Sequence, residues 1–118
     1  MPQKACIMSG LRLCQYCFYV AHTFEWNEGF REYYAVKANC NPFIINILRE
    51  YGCGLDCSSL TELMLSKELG VTGDMIMFSS NDTPAEEFKF AAEVGATINL
   101  DDFTHIKFLE DAIGYIPK

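Results

Sequence analysis

From Arg31 onward the chain alternates a short apolar run with a segment of helical periodicity, four times, at about 20 to 24 residues per repeat. The boundaries of each repeat are written in local chemistry. The first run, Tyr33 to Lys37, leads to Asn41 at a capping position and Pro42 at the first helical position, and the helix stops at Gly52. Within it Phe43, Ile44, Ile47, Leu48 and Tyr51 recur at helical spacing and predict one apolar face. The second run is Gly54 to Cys57, followed by the capping box Ser59-x-x-Glu62 and a helix ending at Gly70. The third, Met75 to Phe78, is continuously apolar, as expected of a strand covered on both faces. Thr83-Pro84-x-Glu86 reads as another capping box, opening a helix that ends at Gly95. Ala96 to Leu100 is the fourth run. A last helix spans Asp102 to Ile113, with Phe103, Ile106, Leu109 and Ile113 inward and a stop at Gly114.

Apolar strands joined by helices pair in parallel with right-handed crossovers, so the fold class is α/β. Four units are half of what an eight-stranded barrel needs. Two architectures follow: a small doubly wound domain, or about half of a TIM-type (β/α)8 barrel. A half barrel by itself leaves an open sheet edge and an uncovered apolar interior. Residues 1–30 form a poorly defined N-terminal segment and residues 31–118 the repeat-bearing domain. In the former, Leu11, Leu13, Cys14, Cys17, Phe18 and Ala21 fit one helical face, and Trp26-Asn27-Glu28-Gly29 reads as a turn into the first strand.

At 118 residues and 50% hydrophobic, the chain has material for one domain with a real core. A net charge of −7 without a basic run argues against nucleic acid and anionic membrane surfaces as partners. Neither a membrane-length apolar stretch nor a signal peptide is legible, which points to the cytoplasm. Of six cysteines, Cys53 and Cys57 fall in or beside a strand and read as reduced core thiols. Cys14-x-x-Cys17 with His22 is the one metal-like spacing, and a single such pair is too little for a zinc site, so no metal is expected.

In a parallel α/β sheet the chemistry gathers at the carboxyl ends of the strands. Those ends carry Lys37 with Asn39, Asp56 with Ser58, Ser79-Ser80-Asn81, and Asp101-Asp102. Alternation places Lys37 on the strand face of Ala35. An ammonium at the mouth of an apolar sheet needs a partner or a task. Schiff-base formation is such a task, since desolvation disfavours the charged form and leaves a nucleophilic amine. Plainer roles compete: Lys37 snorkelling to solvent, Asp56 pairing with it, and Ser58, Ser59, Asp101 and Asp102 capping helices. His105 reads as a packed residue. Gly52-x-Gly54 precedes its strand and so is not a phosphate fingerprint. A receiver domain of similar length is disfavoured, because there the acidic pair precedes the lysine.

The string Tyr34-Ala35-Val36-Lys37-Ala38-Asn39-x-Asn41-Pro42, then Gly52-x-Gly54-Leu55-Asp56-x-x-Ser59-x-x-Glu62-Leu63, resembles the barrel domain of the fold type III pyridoxal-phosphate decarboxylases. These include the diaminopimelate, ornithine and arginine decarboxylases. Ile76-x-Phe78-x-x-Asn81, Glu86 and Glu87, Ala91, Gly95-Ala96 and Leu100-Asp101 continue the likeness across Trp26 to Ile113. Ala38-Asn39 and Phe78-Ser79-x-Asn81 look most like the diaminopimelate branch, since the ornithine branch usually has cysteine where Ala38 stands. The resemblance implies an alanine racemase-like barrel over residues 31–118, with Lys37 carrying pyridoxal phosphate as a Schiff base. It also implies Asp56 beside that lysine and the cofactor ring, an amino-acid substrate that loses carbon dioxide, a homodimer, and a place in lysine synthesis. The family's phosphate-binding glycine loop, the acidic partner of its pyridine nitrogen, its carboxyl-terminal β domain and the partner-donated cysteine segment have no match here. Met1 to Glu25 shows no counterpart of the domain's first strand and helix. These departures lead to the expectation of a truncated chain that is inactive alone. The rival expectation is a noncatalytic relative that binds a partner subunit through its barrel edge, as enzyme-inhibitor relatives of the ornithine branch do.

Overall fold

The structure is a computed structural model that describes residues 12, 15, 16, 18–20 and 22–117. Four strands, β1 (Tyr33–Ala35), β2 (Gly54–Cys57), β3 (Ile76–Ser79) and β4 (Thr97–Asn99), form one parallel sheet in the order β1-β2-β3-β4. Helices α1 (Pro42–Glu50), α2 (Leu60–Glu68), α3 (Ala85–Glu93) and α4 (Thr104–Ile113) follow the strands in turn. A doubly wound sheet reverses its strand order at a switch point. Strictly sequential order selects the other architecture, four consecutive units of a (β/α)8 barrel.

Helices α1 to α4 pack on one face of the sheet. Leu55, Cys57, Ile76 and Phe78 are fully buried against Ile45, Leu63, Phe88, Ala91 and Leu109. The intervening residues Asp56, Met77 and Ser79 must point the other way and are only half-buried. The expectation that the third strand is covered on both faces therefore does not hold: its burial alternates. The concave face is mixed, not apolar, and it is polar toward the carboxyl ends, where Asp56, Ser79 and Asn99 stand.

Several element boundaries differ from expectation. β1 ends at Ala35 and gives way to a 3-10 turn over Val36–Ala38. β3 starts at Ile76, because Met75 belongs to a second 3-10 turn. β4 is confined to Thr97–Asn99. The inward face of α1 is Ile44, Ile45 and Leu48, while Phe43 is 81% exposed. On α4, Leu109 is buried and Ile113 packs on the core, whereas Phe103 is 91% and Ile106 43% exposed. In both helices the expected face includes an aromatic at the N-terminal end, and it is that aromatic which is exposed.

The caps are clearer. Asn41 accepts from Phe43 N at 3.0 Å, with Pro42 next, as the sequence predicts. Thr83 does not cap α3: it is buried, and its hydroxyl donates to Ser80 O at 3.0 Å. Arg49 Nη1 donates to Leu69 O at 2.7 Å and fastens the end of α1 to the end of α2. Trp26 to Gly29 lies in the expected turn region, closed by Phe30 N donating to Asn27 O. Helical residues precede it, and the described aromatics among them, Tyr16, Phe18 and Tyr19, are exposed. The remaining members of that expected helical face, and the Cys14-x-x-Cys17 spacing, lie outside the described residues. Cys53 and Cys57 are buried and Cys40 is exposed.

Two expectations test this packing. A Cβ at Gly54 would meet the Tyr33 ring at 2.6 Å and the Met75 carbonyl at 2.9 Å. Gly54→Ala is expected to cost about 1–3 kcal/mol in urea unfolding, the range for overpacking. Burial pushes the Cys57 thiol from the ordinary 9.0 up to about 11. The unfolded thiol ionises near pH 9.0, so between there and pH 11 unfolding releases a proton and stability falls with rising pH. The contribution is about 1.4 kcal/mol per pH unit at most. Unfolding midpoints across that window check it, and Cys57→Ala is expected to flatten the slope.

Candidate functional site

The carboxyl ends of β2 and β3 bring two polar side chains, Asp56 and Ser79, together in register. Ala35, Asp56, Met77 and Thr97 are successive partners in one row across the sheet. Lys37 follows Ala35 by two residues, and Ser79 follows Met77 by two. Ser79 therefore stands one step nearer the rim than Asp56, on the strand beside it. Ser79 Oγ donates to Asp56 Oδ1 at 2.7 Å, a partly buried hydrogen bond. The expected Asp56–Lys37 ion pair is not formed; Asp56 is held by Ser79 instead.

Lys37 itself sits in the 3-10 turn and not on the strand, and it is exposed. The sheet alternation expected to place it with Ala35 stops at Ala35, and the anticipated burial of its amine is not present. Its backbone, however, is well braced. Val36 is fully buried, Tyr34 Oη donates to Asn39 O at 3.3 Å, and Asn39 Oδ1 accepts from Asn41 N at 3.0 Å. The turn is thus pinned on both sides, while the Lys37 amine has no hydrogen-bond or ion-pair partner among the described residues. Beside it opens a groove of about 580 Å³ lined by Val36, Lys37, Cys40, Thr61, Glu62 and Leu65, among others.

The other rim residues are structural. Glu62 accepts from Ser58 N at 2.9 Å and from Ser59 Oγ at 3.1 Å, and Ser59 Oγ in turn accepts from Glu62 N. That is the expected capping box, extended by one residue to Ser58. Glu87 Oε1 accepts from Leu60 N at 3.1 Å, a cap supplied by the neighbouring helix. Asp102 accepts from Thr104 N and Oγ1, and those bonds, with the nearby His105, hold its carboxyl below the usual range. Asp101 accepts from Asn99 Nδ2 at 2.9 Å. His105 packs near the Phe88 ring, as expected, and its Nδ1 is buried with no partner among the described residues.

The Ser79–Asp56 bond and the Glu87 cap escaped sequence reasoning. The first was readable in principle from register, since Ser79 follows Asp56's cross-strand neighbour by one full period of the strand. The second joins two helices whose mutual approach no local pattern encodes.

A free primary amine with a fixed carboxylate one strand away suits a carbonyl-bearing cofactor held covalently. It fits the aldehyde end of such a group. Of the N–H groups opening α1 and α2, those of Phe43, Leu60 and Glu62 are already taken by Asn41, Glu87 and Ser59. Among the described residues there is no group of three or more His, Cys, Asp or Glu able to hold a metal, and no helix long and apolar enough to cross a membrane.

The sequence profile described as "pyridoxal-dependent decarboxylase, pyridoxal binding domain" matches residues 20–115. The chain belongs to this family. The family's cofactor is pyridoxal phosphate and its decarboxylases are carboxy-lyases. Protein TabA of Pseudomonas amygdali pv. tabaci is 47% identical over 83 residues, 70% of this chain and 20% of that protein. Antizyme inhibitor 1 of Mus musculus is 40% identical over 68 residues, 58% of this chain and 15% of that protein. The chain thus spans a fifth or less of these curated relatives. The crystal structure of diaminopimelate decarboxylase from Helicobacter pylori complexed with L-lysine superposes with a TM-score of 0.74 at 25% identity, over 86% of this chain and 26% of that one. Four consecutive parallel units are therefore the barrel portion of a decarboxylase fold.

The loop after Asp56 depends on Glu62, which carries both its Ser58 and Ser59 contacts. Glu62→Ala is expected to lower stability by about 1–2 kcal/mol, the value of a lost cap, in urea unfolding. Glu62→Gln is expected to recover part of that loss.

Proposed function

We propose that Lys37 is the residue through which this chain holds pyridoxal phosphate, in a decarboxylase that converts meso-diaminopimelate to L-lysine. The observation that carries this reading is the free Lys37 amine at the carboxyl end of β1, one strand from the Asp56–Ser79 pair, inside the segment that the family profile matches. Residues 31–118 serve as part of an alanine racemase-like barrel domain. The substrate assignment rests on Ala38-Asn39 and Phe78-Ser79-x-Asn81, and on the likeness to the Helicobacter pylori enzyme.

When bound, pyridoxal phosphate supplies an electron sink for the carbanion left as the substrate carboxylate departs as carbon dioxide. The chain's own residues do the rest. Lys37 anchors, from a turn pinned by Val36, Tyr34 and Asn39. Asp56, steadied by Ser79, presents a carboxylate on the neighbouring strand. Ala35, Asp56's small neighbour in the row, leaves that part of the concave face clear. We assign the work to the cytoplasm and to a homodimer, as for the family.

A second reading is favoured by the 40% identity to antizyme inhibitor 1: a noncatalytic relative that binds a protein partner. Ornithine or arginine as substrate is a variant of the first. Incubation with pyridoxal phosphate, borohydride reduction and peptide mass analysis separate these readings. The label is expected at Lys37 and is expected to vanish in Lys37→Ala; a label elsewhere, or none, removes the anchor reading. Meso-diaminopimelate is expected to compete for the cofactor and lower the Lys37 label more than ornithine or arginine does.

A further inference from the structure

We infer that Ser79 is a positioning residue, which holds the Asp56 carboxylate in place for the group anchored at Lys37. This rests on the reading of Lys37 as the cofactor anchor, and it adds a residue that the anchor chemistry alone does not require.

The argument starts from what surrounds Asp56. Its row neighbours are Ala35 on one side and Met77 on the other, neither with a polar side-chain atom to offer. Ser58, next along the loop, is committed to Glu62. Lys37 is exposed and unpaired. Among the described residues, then, the Asp56 carboxylate has one hydrogen-bond donor, Ser79 Oγ at 2.7 Å on Oδ1. Ser79 has a single hydroxyl proton, and it is spent on this bond. The terminal torsion of an aspartate is broad and lets its two oxygens exchange. A donor on Oδ1 breaks that equivalence and leaves Oδ2 as the oxygen free to face an incoming cation.

The competing role is that of a tether between β2 and β3. Those strands are already joined by three register pairs, Leu55 with Ile76, Asp56 with Met77 and Cys57 with Phe78, and by the fully buried core behind them. A partly exposed side-chain bond adds little to such a ladder. Its one-sided placement, on the rim side of Asp56, fits orientation of the carboxylate.

The test measures the dissociation constant of pyridoxal phosphate by absorbance, with borohydride labelling to confirm attachment at Lys37. Ser79→Ala is expected to weaken retention about three- to tenfold, the size of a charge-assisted hydrogen bond acting through a neighbour. Ser79→Thr, which keeps the hydroxyl, is expected to stay within about twofold of the unaltered chain. Asp56→Ala is expected to weaken retention at least as much as Ser79→Ala, and the double variant to be no weaker than Asp56→Ala alone. Urea midpoints measured on the same samples separate loss of fold from loss of binding. With Lys37 labelled normally, a silent Ser79→Ala, or effects of the two substitutions that add, overturns the inference and leaves the anchor reading standing. No label at Lys37 in the unaltered chain overturns both.

Discussion

Everything at the rim depends on the one-sided burial of the sheet. Leu55, Cys57, Ile76 and Phe78 leave water only by packing against α1 to α4, and a strand has a period of two. Once those four residues face the helices, Asp56, Met77 and Ser79 have no choice of side. A slip of one residue in β2 would bury a carboxylate and expose Leu55 and Cys57, an exchange that costs several kcal/mol in lost apolar burial alone. The core thus sets the position of the polar pair with no interaction of its own with it.

The architecture was legible in the sequence because its signals are local. Asn41-Pro42, Ser59-x-x-Glu62 and the glycines after each helix mark boundaries through contacts only a few residues long. What periodicity did not convey was where a strand yields to a turn. Tyr34-Ala35-Val36-Lys37 alternates well enough for a strand, yet after Ala35 the backbone tightens so that Val36 enters the core and the chain can reach Asn41. Lys37 was recognised as the candidate anchor, but its surroundings were misjudged, since burial is a tertiary property. The same limit explains Phe43 and Phe103. Each continues an apolar stripe in sequence, and each is exposed at the N-terminal end of its helix.

On the proposed reading of Lys37 as the cofactor anchor, the braced turn at Val36–Ala38 reconciles two demands. An anchoring amine must be free to react, which argues against burying it in fixed contacts, and it must return to the same place. Here the backbone carries the order and the side chain carries the freedom. Val36 fills the core, Tyr34 and Asn41 close on Asn39 from either end, and only the lysine methylenes remain to adjust.

The strictly sequential strand order has a consequence for how the chain acquires its shape. Each strand pairs with the one before it, and partners such as Ala35 and Asp56, or Asp56 and Met77, lie 56 − 35 = 21 and 77 − 56 = 21 positions apart. No contact in the sheet waits for a distant segment, so loop closure stays cheap and each strand–helix unit can dock on its predecessor as it emerges from the ribosome. The carboxyl-end residues would then assemble in the same order: the lysine first, the aspartate second, and the serine that steadies it third.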